Sequence, residues 1–136
     1  MNVLKKQSLV TLAMASMLWI LSFPAIGAET FTGRLVGYEC AEQGKTCPTD
    51  RLDPHIALER DFVLVKPNGE YYFLVNINRD IKLQHVLENV TITGELNKKF
   101  NSITVMEFKA MQGSKERTTW SQEMEDAEFN RLYNSG

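Results

Sequence analysis

Residues 62–75 read Phe-Val-Leu-Val-Lys-Pro-Asn-Gly-Glu-Tyr-Tyr-Phe-Leu-Val, and they give the clearest indication of secondary structure in the chain. Two runs of β-branched and aromatic residues, 62–65 and 71–75, flank a turn that contains Asn68 and Gly69. Asn-Gly supplies the left-handed backbone conformations that tight hairpins require. Both runs are apolar at successive positions, so we expect protein to cover both faces of this hairpin over part of its length.

Three further strands are predicted around the hairpin. Residues 31–38 precede it and alternate in polarity, as a strand with one buried face does. Residues 90–96 and 102–111 follow it and are joined by a polar turn at 97–101. The second of these strands changes the parity of its apolar positions after Val105, which predicts a β-bulge.

The order of the elements predicts an architecture. Leu83, Val86 and Leu87 have the spacing of a short helix with one buried stripe, and this helix lies between the third and fourth strands. Five strands with a helix in that place is the arrangement of an OB-fold, a partly open Greek-key barrel. The predicted fold class is therefore mainly β, with a five-stranded OB-fold-like barrel over residues 29–112 and a helix at the C-terminus.

Two short motifs resemble those of small exported bacterial OB-fold proteins. Residues 31–37 read Phe-Thr-Gly-Arg-Leu-Val-Gly, which is similar to the early x-G-x-L/V strand of that group. Residues 90–99 read Val-Thr-Ile-Thr-Gly-Glu-Leu-Asn-Lys-Lys, which is similar to its late V-x-I-x-G-x-L/V-D/N-K strand. The resemblance covers residues 31–110 and implies a periplasmic binding or accessory role.

Residues 1–28 have the organisation of a secretory signal peptide. Lys5 and Lys6 precede an apolar stretch at 9–23, and small residues lead to an expected cleavage after Ala28. A membrane anchor is the alternative, but a transmembrane helix needs about 20 apolar residues and this run is shorter. We therefore expect a periplasmic or secreted protein that makes no membrane contact after cleavage.

Two cysteines lie in a long irregular stretch, residues 39–59, which we call the disulfide loop. In an exported protein, Cys40 and Cys47 are most simply joined in a disulfide. A metal site made by Cys40, Cys47 and His55 is the alternative, since two thiolates and an imidazole suit Cu(I) or Zn²⁺. Under the disulfide interpretation we expect no cofactor, and the absence of Cys-x-x-Cys-His excludes covalent haem.

Charge and motifs bear on the class of function. Without residues 1–28 the chain has 13 basic and 17 acidic residues, a net charge of −4. This charge disfavours nucleic acid, although OB-folds often bind it, because phosphates need a positive field. No Ser-His-Asp spacing, G-x-S-x-G elbow, His-Glu-x-x-His pair or glycine-rich phosphate loop occurs in the sequence. We therefore expect a protein that is not an enzyme. After a binding protein and a metal-handling protein, the third possibility is a hydrolytic enzyme whose active site has no recognisable motif.

Residues 113–136 are expected to form a linker and an amphipathic C-terminal helix. Residues 119–122 have the spacing of a capping box, and the helix should run to about residue 133. Its apolar side chains form two stripes on roughly opposite sides. Either the second stripe contacts another chain, or the helix ends near Ala127 and the last residues fray. The first stripe is Trp120, Met124 and Ala127, and the second is Phe129, Leu132 and Tyr133.

Together these patterns predict an exported, non-enzymatic binding or accessory protein. It would recognise a partner protein or a small ligand through the disulfide loop and the adjacent barrel loops. The alternative is a periplasmic metal-handling protein that uses the two cysteines and His55. The candidate binding residues are Tyr38, Lys45, Tyr72, Lys98, Phe100, Trp120, Phe129 and Tyr133.

Overall fold

The computed structural model describes residues 27–134. The predicted signal peptide, apart from its last two residues, lies outside the described residues. Within 27–134, no helix has the length and apolarity needed to cross a membrane. The elements in chain order are β1 (Glu29–Gly37), α1 (Tyr38–Glu42), α2 (His55–Leu58), β2 (Phe62–Val65), β3 (Tyr71–Leu74), α3 (Arg79–Gln84), β4 (Asn89–Asn97), β5 (Ser102–Gln112), β6 (Lys115–Ser121) and α4 (Gln122–Tyr133).

Strands β1 to β5 form a closed barrel. The antiparallel pairings are β1 with β2, β1 with β4, β2 with β3, and β4 with β5. A parallel pairing of β3 with β5 closes the cylinder. This connectivity, with α3 between β3 and β4, confirms the predicted OB-fold-like barrel.

The β2–β3 hairpin forms as its sequence predicts. The Lys66 amide donates to the Glu70 carbonyl oxygen over 2.8 Å, which closes the turn. Gly69 has a φ of +88°, a conformation that side chains larger than hydrogen disfavour. The Asn68 side chain accepts from the Glu70 amide at 3.1 Å, so both residues of the Asn-Gly pair stabilise the turn.

The hairpin is also covered on both faces, as expected. Leu35 and Leu64 are neighbours in register, are fully buried, and belong to the core inside the barrel. Val36 and Val63, with the opposite parity, are only 3% and 0% exposed on the outer side. Helix α1 contacts both β1 and β2, so we assign the outer cover to α1 and the disulfide loop. This cover makes the loop part of the folded unit.

The predicted bulge lies at Met106. Val105 pairs with Gly94 and Glu107 pairs with Thr93, so Met106 is an extra residue in β5. Its side chain is 50% exposed, whereas Val105 and Phe108 are buried. The bulge therefore returns Phe108 to the interior after the change of parity.

The parallel seam between β3 and β5 is short and is extended by a side chain. The Val75 amide donates to the Ile103 carbonyl oxygen at 3.2 Å. Beyond this point the Asn76 side chain forms two hydrogen bonds, each 2.7 Å long, with the backbone of Val105. Asn76 Nδ2 donates to the Val105 oxygen, and the Val105 amide donates to Asn76 Oδ1. The Asn76 amide thus occupies the place of a strand residue.

The expected linker at the start of 113–136 is instead a sixth strand, β6, which pairs with β5. Trp120 belongs to this strand and not to a helix; it lies opposite Phe108 and is 7% exposed in the core. Helix α4 begins after Ser121, whose hydroxyl accepts from the Met124 amide at 3.2 Å. The cap is therefore Ser121 and not Thr119, because strand β6 continues to Ser121. The helix ends at Tyr133, as predicted.

Candidate functional site

Three aromatic side chains meet on the outside of the barrel, and we call them the aromatic patch: Tyr38, Tyr71 and Phe73. Measured between ring centroids, Tyr38 lies 4.9 Å from Phe73 and 6.1 Å from Tyr71. The Tyr71 and Phe73 rings are themselves 6.1 Å apart. All three side chains are half-buried. Their separations are those of mutually packed aromatic rings, so the patch is a formed surface.

The alternation of side chains along β3 determines which aromatic rings belong to the patch. Tyr71 and Phe73 are two residues apart on β3 and therefore share one face. Tyr72 has the opposite parity, packs on Phe31 with a centroid distance of 5.9 Å, and is partly buried against the core. Tyr38 is the first residue of α1, directly after β1, and this position brings its ring to the β3 face.

Charged groups border the patch on the α1 side. The Glu42 carboxylate, together with partial burial, raises the pKa of the Tyr38 hydroxyl. Arg60 opposes this rise in the pKa of Tyr38 and also pairs with Glu39, Nε to Oε1, at 3.4 Å. The Tyr38 hydroxyl is therefore a neutral donor near neutral pH, with both a carboxylate and a guanidinium nearby.

A cleft of about 430 Å³ adjoins the patch at Phe73. Lys82 lies at this cleft with 2% exposure, pairs with Asp61 and donates to the Leu74 carbonyl oxygen at 3.3 Å. Burial of a lysine is tolerated when its charge is paired in this way. The cleft is lined by Arg60, Asp61, Phe73, Leu74, Val75, Ile77, Asn78, Arg79 and Lys82.

Arg79 joins the cleft to the disulfide loop. Its Nη2 donates to the carbonyl oxygens of Ile56 and Glu59 at 2.8 and 3.0 Å, and its Nε donates to the latter at 3.3 Å. The guanidinium carbon lies 5.2 Å from the centroid of the Phe62 ring. Arg79 also lines a second cleft, of about 460 Å³, between the loop and α3. One side chain on α3 therefore fixes the end of the loop.

The predicted disulfide between Cys40 and Cys47 is present, with a Cα–Cα separation of 5.5 Å. The structure does not bring His55 to it. His55 is 64% exposed at its side chain and bonds Asp53 through Nδ1 at 2.7 Å. The carboxylate of Glu59, a residue that the sequence interpretation did not single out, lies within 4.8 Å of both sulfur atoms.

The other candidate residues occupy separate places. Lys45 is exposed in the disulfide loop, where its amide donates to the Cys40 carbonyl oxygen at 2.8 Å. Lys98 and Phe100 are exposed in the 97–101 turn, and this turn reaches β3 through a 2.8 Å bond from the Phe73 amide to Asn101.

Phe129 and Tyr133 stack on each other on α4, at 4.8 Å, and are 57% and 72% exposed. Among the candidates, only Tyr38 belongs to the aromatic patch, and Phe129 and Tyr133 lie together on α4. The others are dispersed: Lys45 lies in the disulfide loop, Lys98 and Phe100 in the 97–101 turn, Tyr72 against the core and Trp120 within it.

Comparison of this chain with protein-family models, curated proteins and solved structures found no match.

Proposed function

We propose that this chain is an exported, non-enzymatic OB-fold binding or accessory protein. It recognises a partner protein or a small ligand through the aromatic patch, the disulfide loop and the 97–101 turn. The observation that carries the proposal is the mutual packing of the half-buried Tyr38, Tyr71 and Phe73 on the outer side of β3. OB-folds bind their ligands through strands 2 and 3 and the loops after strands 1 and 4, the region in which this patch lies.

The chemistry of the patch supports recognition by ring contact. Aromatic side chains bury much apolar area at a low cost in side-chain entropy, because only two torsions are fixed. The Tyr38 hydroxyl and the neighbouring Arg60 and Glu39 add directional polar contacts at the rim. A partner with an apolar or planar group and a few hydrogen-bonding atoms fits this surface.

Export is supported by two independent features. Residues 1–28 have signal-peptide organisation. The Cys40–Cys47 disulfide is typical of proteins that leave the reducing cytosol. The mature net charge of −4, with Glu39 and Glu42 beside the patch, favours a protein or a neutral ligand over nucleic acid.

Site-specific photo-crosslinking tests the proposal. A photoreactive phenylalanine analogue replaces Tyr71 in the full chain, which is produced with its own N-terminal segment in its native cell. We expect a discrete adduct, whose added mass distinguishes a protein from a small ligand. The analogue at Thr104, exposed on β5, is the control and should give no such adduct.

The same experiment separates the patch from helix α4. The adduct at position 71 should be lost when Tyr38 or Phe73 is replaced by Ala, since each contributes a ring to the patch. The analogue at Tyr133 probes the exposed end of α4. An adduct at position 133 without one at position 71 would move the binding surface to the helix and refute the patch as the site.

A further inference from the structure

Glu59 is a buried acid beside the disulfide. Glu59 is only 5% exposed. One of its carboxylate oxygens lies within 4.8 Å of the sulfur atoms of both Cys40 and Cys47. Oε2 accepts from the Glu39 amide at 3.1 Å. The carboxylate is therefore held in place and faces both sulfurs.

The charge environment of this carboxylate is unusual for a buried acid. Among residues 27–134, no lysine, arginine or histidine forms an ion pair with Glu59. Arg79 donates to the Glu59 backbone oxygen and not to its carboxylate. Burial of an acid without a paired charge is costly, so a cation at this place would stabilise the folded protein.

We propose that the reduced form of this protein binds one Zn²⁺ through Cys40, Cys47 and Glu59. The site is closed while the disulfide is intact, because neither sulfur is then a thiolate. A dithiol reductant transfers two electrons and two protons to the disulfide and is itself oxidised to a disulfide. Zinc then binds both sulfurs as thiolates, and the two thiol protons pass to solvent.

The donor set suits zinc. Two thiolates and a carboxylate are ordinary zinc ligands, and three protein ligands leave the fourth tetrahedral position for water. Zn²⁺ supplies the positive charge that the buried Glu59 lacks. This donor set differs from the one expected from the sequence, since Glu59 replaces the exposed His55.

The surrounding backbone keeps the donors close after the disulfide opens. The Gly37 amide donates to the Cys47 oxygen at 2.9 Å, and the Lys45 amide donates to the Cys40 oxygen at 2.8 Å. Arg79 independently fixes the Glu59 backbone. None of these bonds depends on the sulfur–sulfur bond.

Native mass spectrometry of the full chain tests the proposal. The protein is produced with its own N-terminal segment, reduced with a dithiol, freed of metal and titrated with Zn²⁺ alone. We expect one zinc per chain with loss of two protons, and no zinc on the oxidised protein. At a fixed ratio of dithiol to its disulfide, zinc should also raise the reduced fraction, because it binds only that form.

Two matched variants identify the third ligand. Glu59→Gln preserves the size of the side chain but removes its charge, and zinc affinity should fall at least about tenfold, the lower range for loss of even an outer-shell partner. His55→Ala should bind zinc as the unsubstituted protein does.

Absence of zinc from the reduced unsubstituted protein would overturn the proposal, and this result does not depend on the folding of any variant. Equal zinc affinity of Glu59→Gln and the unsubstituted protein would overturn the role of Glu59.

Discussion

The disulfide loop and helix α4 are both additions to the five-stranded barrel, and they are attached to it very differently. The loop is tied to the barrel by buried Pro48 and Glu59, by the disulfide and by three bonds from Arg79. Helix α4 has no buried residue, and two side-chain hydrogen bonds, from Trp120 to Glu125 and from Asn76 to Gln122, join its first turn to the rest of the protein. The largely irregular loop is thus part of the folding unit, because some of its residues are buried and hydrogen-bonded to the rest of the protein. The regular helix is not, because none of its residues is buried.

Gly37→Ala should lower the stability of the protein most, because the loop packs against the Gly37 Cα. A Cβ at this position would overlap the Glu59 carboxylate and lie 2.7 Å from the Cys47 oxygen. We expect the free energy of unfolding to fall by about 2–3 kcal/mol, as for an overpacked core. Denaturant titration measures this loss. Gly44→Ala is the control, since a Cβ there meets no atom within 4 Å and costs only its left-handed φ. An equal loss in both variants would show that the contact is unimportant.

Arg79→Met should have the next largest effect. It removes three hydrogen bonds to loop carbonyl oxygens, and we expect a loss of about 2 kcal/mol together with faster proteolysis within 39–59. Arg131→Met on α4 is the matched control. Its pair with Glu128 is 70% exposed on the arginine side, so its loss should cost much less than that of Arg79. Similar losses for the two arginines would contradict the distinction between loop and helix.

Acid should lower the stability of the disulfide loop, because it protonates the Asp53 carboxylate. Donation to its carboxylate, first from the Thr49 amide and then from the His55 amide, holds the pKa of Asp53 well below its usual 3.8. Since the folded-state pKa is lowered, its contribution is complete above pH 3.8 and is lost as the pH falls below that value. Asp53→Asn should be less stable than the unsubstituted protein near neutral pH but approach its melting temperature below pH 3.8. Thermal melts at both pH values measure this, and a constant difference would refute it.

Removal of α4 should have the smallest effect. A chain that ends at Ser121 loses the bond from Trp120 Nε1 to Glu125, 3.0 Å long, and little else from the core. We expect the free energy of unfolding to fall by less than about 1 kcal/mol. A chain that ends at Thr118 also loses Trp120 and should be far less stable. A large loss on removal of α4 alone would mean that the helix belongs to the folding unit.

Local patterns in the sequence were sufficient to predict most of the barrel. The Asn-Gly turn and the parity change after Val105 each report a local constraint, and each corresponds to an observed feature. The spacing of Leu83, Val86 and Leu87 predicted a helix at the right place but not its extent, because α3 ends at Gln84 and Leu87 has a φ of +68°. Strand β6 was missed because residues 115–118 are exposed and show no apolar alternation. A capping-box pattern at 119–122 then favoured an early helix start.

The site was less predictable than the fold. The run Tyr71-Tyr72-Phe73 is apolar throughout, so only the pairing of Tyr72 with Leu64 decides which rings face outward. Of the three rings in the patch, the sequence interpretation named Tyr38 as a candidate but not Tyr71 or Phe73, and the binding role of all three stays a prediction. Glu59 was not selected because its burial beside the cysteines arises from contacts distant in sequence.

Asn76 shows how a strand can stop early without leaving its neighbour exposed. Its amide reproduces the donor and acceptor of a peptide group toward Val105, so the chain can turn toward α3 two residues after β3 ends. A carboxylate at this position would offer acceptors only and leave the Val105 oxygen without its donor. One end of the seam therefore depends on a single amide side chain, while the Phe73 and Val75 amides hold the rest of it through the backbone.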